Sequence, residues 1–340
     1  MDTGPVTHHS QKQRIVKEMN SEVEREQLPS PQVRHVIVDH DFAGQRLDNY
    51  LLRELKGVPK SRIYRIIRKG EVRINGKRVS ANCRLVAGDD LRIPPVRVGV
   101  KKVYDNPLKS IEKTIIYENE LILVINKPIG IAVHGGSGVS MGVIESIRAV
   151  IPGSDRWELA HRLDRDTSGC LMIAKNRQYL KLIQAALRER NQIGKYYRAI
   201  VHGQWSKRKI LIEAPIIKNT LRSGERMSRV SDGGKASSTG FRLLHSNGEH
   251  SLLEVEAITG RTHQIRVHCG YAGFPVVGDS KYGDEAGDKL LKQRLGVRRL
   301  LLHADHLVVP DLAEFPGFEV AAPLDAEFEK VQKYISNTNG

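Results

Sequence analysis

The sequence predicts an α+β chain in two folded domains, each built from both helices and strands. Three observations predict it. At 340 residues the chain has room for two hydrophobic cores. Residues 46–93 hold two short amphipathic helical patterns followed by a hairpin pattern, which is a complete small unit. From about Ile111 the composition changes to long apolar runs, in which strands and helices alternate. Between the two lie Pro94-Pro95 and a basic stretch to Pro107, with Lys101-Lys102 in it, which reads as a linker.

Composition bounds the partner. Hydrophobic residues at 40% and charged residues at 27% suit a soluble globular protein. The balance of 54 Lys and Arg against 39 Asp and Glu does not: a net charge of +15 points to a polyanion. A basic membrane-surface protein is the competing reading. Neither end carries a helix with a strong apolar face beside a Lys-rich one, and no apolar run approaches a membrane span, so nucleic acid is favoured and no membrane partner is expected. Cys83, Cys170 and Cys269 are odd in number and far apart, with no C-x-x-C spacing. Reduced thiols in a cytoplasmic protein are the expectation, not a zinc site or a disulfide framework. No signal-peptide apolar core follows Met1.

In chain order, residues 1–33 are polar and read as a disordered extension, with a transient helix around residues 15–24. The first domain is expected over 34–95. Arg46–Leu55 is a helix with Leu47, Tyr50, Leu51 and Leu55 on one face. Ser61 is the expected N-cap of the next helix. There Ile63, Ile66 and Ile67 share one side, while Arg62, Arg65, Arg68 and Lys69 cluster on the other and Lys60 stands at the start. No acidic residue interrupts Lys60 to Lys69, as suits a phosphate backbone. Gly70 ends the helix. Val72 and Ile74 alternate into Asn75-Gly76, a tight hairpin signal, and Val79 returns.

After a linker over 96–110, the second domain is expected over 111–335. It opens with a strand at 120–125, then Asn126-Lys127-Pro128-Ile129-Gly130 and a Gly-rich run through His134. That run lacks the G-K-[ST] ending of a phosphate loop. Asn176 caps a helix carrying Leu180, Ile183 and Leu187, and Lys195–Val201 is a strand. Asn247-Gly248 turns a hairpin whose second strand alternates Leu253, Val255 and Ala257 with Glu254 and Glu256. His263 and His268 are five apart, not the i, i+4 spacing of two metal ligands on one helix face. A helix closes the domain near Ile335.

The chemistry is expected in His161-Arg162-Leu163-Asp164-Arg165-Asp166-Thr167-Ser168-Gly169. It packs two carboxylates, two guanidiniums, an imidazole and two hydroxyls between apolar flanks: Trp157, Leu159 and Ala160 before it, the buried strand Leu171–Ala174 after it. Such a loop is either held rigid at a site or is a structural ion-pair knot. Residue types alone leave open which aspartate reacts.

H-R-L-D-x-x-T-S-G is the signature of the pseudouridine synthases of the large-ribosomal-subunit type, and the chain resembles that family over roughly residues 36 to 330. The same resemblance extends through N-K-P-x-G-x-x-V-H at 126–134, K-x-Y-x-A at 195–199, G-R-T-H-Q-I-R-V-H at 260–268, and the stretches Gly278–Gly283 and Leu301–Ala304. Gly44 through Ile93 resembles the S4 RNA-binding domain. The resemblance implies a mixed, mainly antiparallel catalytic sheet in two halves with the cleft across them. It makes Asp164 the catalytic carboxylate, Tyr197 the active-site tyrosine that stacks on uracil near C5, and Arg261 the guanidinium that pairs with Asp164. It offers Arg162 to fill the space that a flipped base vacates, and His161, Lys127, His134, Lys195, His263 and Arg266 as further substrate contacts. Three details, Gly57–Ser61, Arg92–Val98 and Ala132–Gly138, narrow it further and imply 23S rRNA of the large ribosomal subunit as substrate, at more than one uridine; a monomer is expected.

That reaction breaks a C–N glycosidic bond, turns the base and forms a C–C bond, without redox change or energy input, so no cofactor and no metal is expected. A carboxylate near C1′ suits it; attack on the sugar, attack on the ring and removal of a sugar proton all remain open. Two rival readings are a non-catalytic rRNA-binding assembly factor and a metal-dependent phosphoesterase using Asp164, Asp166 and nearby histidines.

Overall fold

The computed structural model describes residues 32–55, 58–96, 106, 108, 110–135, 141–189, 192–206, 208–220 and 226–337. They fall into two compact units, one within Met1–Val103 and one within Tyr104–Gly340. The expected N-terminal extension up to residue 31, most of the linker, and residues 57, 97, 98 and 136–138 of the narrower resemblance lie outside the described residues.

The first unit runs β1 (Arg34–Ile37), α1 (Leu47–Glu54), α2 (Lys60–Arg68), β2 (Arg73–Ile74), β3 (Lys77–Arg78) and β4 (Asp90–Ile93), with an antiparallel sheet in the order β1-β4-β2-β3. Leu47, Tyr50 and Leu51 of α1 meet Ile63, Ile66 and Ile67 of α2 in one core with Leu85, Leu91 and Ile93. Asn75 and Gly76 both take positive φ, the twist that a two-residue hairpin needs. One local expectation is corrected. Ser61 lies inside α2, and the N-cap is Pro59, whose carbonyl accepts from Arg62 and Ile63 N–H. The ring fixes φ at −57°, so the helix starts without a side-chain cap.

The second unit continues with β5 (Ile115–Glu118), β6 (Ile122–Lys127), α3 (Val143–Val150), β7 (Glu158–Leu159), β8 (Ser168–Ala174), α4 (Arg177–Ala186), β9 (Gly194–His202), β10 (Lys209–Glu213), β11 (Ile216–Thr220), β12 (Arg226–Val230), β13 (Ser238–Ser246), β14 (His250–Ala257), α5 (Gln264–Tyr271), α6 (Glu285–Leu295), β15 (Leu302–Val309), β16 (Phe318–Ala321) and α7 (Ala326–Asn337). The first expected strand begins at Ile122 rather than at residue 120, because Asn119 turns the chain back from β5, its Oδ1 accepting from Leu121 and Ile122 N–H.

Ten strands form one sheet, ordered β10-β13-β14-β9-β15-β8-β6-β5, with β16 on β15 and β7 on β8. Its pairings are antiparallel except one: β15 runs parallel to β8, through His303 opposite Ser168 and Ala304 opposite Gly169. That seam divides the sheet in two. β6, β8, α3 and α4 share one core; β9, β13, β14 and α5 share another. At the seam a Cβ on Gly169 would fall 2.2 Å from the Ala304 carbonyl oxygen, and φ there is +106°, so only glycine lets the halves close. The H-R-L-D loop therefore ends where the half-sheets meet. No helix among the described residues is long and apolar enough to cross a membrane.

Candidate active site

Four segments of the second unit converge at the seam. The loop before β8 carries Asp164. It is fixed from beneath by Lys127, which is fully buried and whose Nζ donates to the carbonyls of Pro128 (2.8 Å), Ile131 (3.0 Å) and Arg165 (3.1 Å). Gly130 N–H donates to the same Arg165 carbonyl. Burial pushes the Lys127 ammonium down to about 7. Thus Lys127, expected as a substrate contact, clamps the loop that carries Asp164 and commits its ammonium to three carbonyls of its own chain.

β9 contributes Tyr197, opposite Val255 of β14 and Ala304 of β15. Its phenol is shifted upward, first by burial and then by the negative charge of Asp164. The ring is therefore a neutral surface with a hydroxyl rather than a phenolate.

The turn into α5 supplies the third wall. Gln264 ties it: Oε1 accepts from Arg261 N–H (3.0 Å) and from the Thr259 hydroxyl (2.7 Å), while Nε2 donates to the Ser238 carbonyl and Thr239 Oγ1. The knotted turn holds His263 in the left-handed region, φ 56°, unusual for a residue with a side chain and frequent at functional sites. His263 Nε2 stands 3.8 Å from Asp164 Oδ2, and Arg266 Nη1 stands 3.7 Å from the same oxygen.

Gly278–Gly283 forms the fourth segment. The Asp279 carboxylate takes Arg266 Nε at 2.7 Å and Nη2 at 2.5 Å, and also accepts from the N–H groups of Lys281 and Tyr282. Its side chain is wholly buried and that of Arg266 is 4% exposed. Burial disfavours the guanidinium charge, but the hydrogen bonds and charge of Asp279 outweigh it, and the Arg266 pKa rises. The two-pronged grip leaves Nη1 directed at Asp164. Tyr282 Oη accepts from Ser228 N–H (2.8 Å) and meets His263 Nδ1 (2.8 Å). With Nε2 facing the Asp164 carboxylate, the favoured tautomer is the one in which the Tyr282 hydroxyl donates to Nδ1. The neutral imidazole then carries its proton on Nε2, facing Asp164, and burial, the largest influence on that ring, favours the neutral form.

Asp164, Tyr197, Arg162, Arg261, His263 and Arg266 thus line one pocket of about 120 Å³. Two expectations change around it. Arg261 lines the pocket but its Nε donates to the Ala236 carbonyl (3.2 Å), and the cation nearest Asp164 is Arg266, five residues on. His161, expected as a substrate contact, has its Nε2 committed to Met172 N–H (3.1 Å), and burial pushes the ring down to about 4, so it is a neutral brace for β8. Lys195 and His161 line an adjoining cavity, and His134 is exposed and lines neither. Asp166 pairs with Arg165 at the surface, both partly exposed. Asp279 and Tyr282 carry geometry that the sequence did not assign; their stretch was visible as a motif, but not what it touches.

In the first unit, Lys60, Arg62, Arg65, Arg68 and Lys69 are all exposed on α2, opposite the buried isoleucines.

Residues 121–271 match the family model described as RNA pseudouridylate synthase, and residues 45–91 match the S4 domain. Ribosomal large subunit pseudouridine synthase C of Pasteurella multocida is 47% identical over 311 residues, 90% of this chain and 95% of that protein. The protein of the same name from Escherichia coli K12 is 45% identical over 314 residues, 91% of this chain and 98% of its own length. Among solved structures, human RNA pseudouridylate synthase domain containing 4 superimposes with a TM-score of 0.55 at 25% identity, covering 67% of this chain and 95% of that one.

Proposed function

The chain belongs to the RNA pseudouridylate synthase family, and on that premise we propose that it isomerises uridines of 23S rRNA, at more than one position, with Asp164 as the catalytic carboxylate. The observation that carries this reading is the meeting of Asp164 with the Arg266 and His263 nitrogens in one pocket that Tyr197 also lines. The chain would act as a cytoplasmic monomer, its α2 face on RNA backbone.

In this reading the target nucleotide leaves its stack, and Arg162, exposed at the pocket mouth, fills the gap. Tyr197 supports the uracil face. Asp164 works at the sugar or base while Arg266 and the Nε2–H of His263 balance and orient its charge. N1–C1′ breaks, C5–C1′ forms, the C5 proton leaves and N1 gains one, so atoms balance without a co-reactant.

Tritium release from 23S rRNA labelled at uridine C5, with filter binding alongside, tests the assignment. Asp164→Asn keeps shape and hydrogen-bonding reach but removes the charge. It should lower release to background and leave RNA affinity largely intact, because phosphate contacts elsewhere dominate binding. Asp166→Asn should keep measurable turnover. The opposite pattern, Asp166→Asn dead and Asp164→Asn active, would overturn the choice of carboxylate. No release by the wild-type protein would instead favour a non-catalytic rRNA-binding factor. Mapping pseudouridine across 23S rRNA with and without this gene tests the number of targets.

A further inference from the structure

Beside the catalytic pocket of about 120 Å³ lies a second, far larger cavity of about 570 Å³, and Tyr197 lines both. The two share Arg162, Tyr197, Ala257, Thr259, Gly260 and Arg261, so whatever fills one lies beside whatever fills the other. The larger one is walled by Gln184, Leu187 and Arg188 from the end of α4, by Lys195 from β9, and by Ile258 and Ala236. Its size falls within the range of about 300–1,000 Å³ usual for small-molecule sites.

Its lining is one-signed. Arg162, Arg188, Lys195 and Arg261 are cationic, and none of its lining residues is acidic. Lys195 is half-buried and forms no ion pair among the described residues; burial alone lowers its pKa. A partly desolvated ammonium without a carboxylate normally answers to an anionic ligand. The Leu187, Ala257 and Ile258 side chains give the same cavity an apolar wall. Inorganic phosphate would use only the cations, and a free base only the apolar wall.

We propose that this cavity binds the nucleotide adjacent to the isomerised uridine, its phosphodiester on Lys195 and Arg188 and its base against Leu187 and Ile258. The proposal rests on the RNA-modifying reading above and adds a contact that selects targets by their neighbour. A cavity of this kind distinguishes uridines in different flanking contexts without changing the reacting groups.

The test is a pair of double-mutant cycles on a synthetic RNA carrying one mapped target uridine tritiated at C5. An uncharged methylphosphonate is placed in turn at each linkage within two nucleotides of the target. At one linkage it should raise the wild-type KM about tenfold, the scale of one charge-assisted hydrogen bond. Lys195→Met should raise KM equally on the all-phosphate RNA, and both changes together should cost no more than either alone. Lys195→Arg should restore most of the loss. Losses that multiply at every linkage would overturn the phosphate contact. Leu187→Trp and an abasic neighbour should behave the same way, and multiplying losses there would remove the base from the cavity. No tritium release by the wild-type protein on the unmodified RNA would bring down the activity reading itself, which the cycles alone do not.

Discussion

The α2 face and the pocket around Asp164 both concentrate cations, but on opposite physical terms. On α2 the guanidiniums of Arg62, Arg65 and Arg68 stand in water, above a stripe of isoleucines that holds the helix down. In the pocket, Arg266 is buried and gripped on two nitrogens by Asp279, so that a third nitrogen reaches Asp164. Lys127 is buried too, and directs its ammonium at three carbonyls of its own chain. Exposed cations of one sign are available to any polyanion and carry affinity. Buried cations are committed before substrate arrives and carry geometry. The difference teaches that net charge reports on the first kind only.

The sharpest way to break this comparison is to remove each arginine of the G-R-T-H-Q-I-R stretch. Arg266→Met leaves the fully buried Asp279 carboxylate without its partner, which should destabilise the second unit by about 3–5 kcal/mol and abolish tritium release. Arg261 is exposed and meets one carbonyl. Arg261→Met should cost about 0.5 kcal/mol or less, and should raise KM while leaving turnover measurable. Denaturant titration and steady-state kinetics read both. A folded, active Arg266→Met beside a dead Arg261→Met would return the pairing with Asp164 to Arg261.

A smaller effect is expected on α2. Replacing Arg65 and Lys69 with Gln should weaken RNA binding and flatten its salt dependence, by at most about one unit of log–log slope for each phosphate no longer neutralised. The unit's stability should not change, since both side chains are exposed. Filter binding between low and physiological salt measures the slope, and an unaltered slope would mean that this face is not on RNA.

The comparison also explains what could be read from sequence. The α2 face was legible because an exposed helix is periodic: its apolar and basic stripes follow from 100° per residue alone. The buried run of β8, the Asn176 cap and the Asn247-Gly248 turn were legible for the same local reason. Membership of one pocket was legible only through motifs, which mark Asp164, Tyr197, His263, Arg261 and Arg266; the resemblance pairs Asp164 with Arg261, whereas Arg266 stands 3.7 Å from it. Arg261 and Arg266 are equivalent in composition, and which one meets Asp164 depends on the turn that Gln264 ties and on Asp279, a partner thirteen residues beyond Arg266. Lys127 looks like a substrate contact until the carbonyls around it are known. The single parallel pairing at the seam, and Gly169 within it, come from chain topology rather than from local pattern.

A local effect, confined to the first unit, is expected at the joint that holds the α2 face in place. Asp48, at the start of α1, is 3% exposed. It accepts from Arg46 Nε (3.1 Å) and Nη2 (2.8 Å), from Asn49 N–H (2.9 Å) and from the Tyr64 hydroxyl (2.8 Å), so it links the first helix of the unit to the second. The hydrogen bond from Arg46, helped by Tyr64 and Asn49, holds its carboxyl at about 2, below the ordinary 3.8. A carboxyl depressed on folding adds stability that is fully present above the unfolded value and fades as pH falls through the folded one. This contribution should therefore hold from neutrality down to about pH 4 and disappear toward pH 2. Asp48→Asn keeps one acceptor but loses the charge, and should cost about 1.5 kcal/mol at pH 6, the low end for hydrogen bonds to a charged group. Amide hydrogen exchange at Tyr50 and Leu51 reads the unit directly. Exchange should be faster in the variant than in the wild type at pH 6, and the two should converge as the pH approaches 2. Equal protection at pH 6 would show that Asp48 does not tie α1 to α2, and that the isoleucine stripe alone holds the basic face in register.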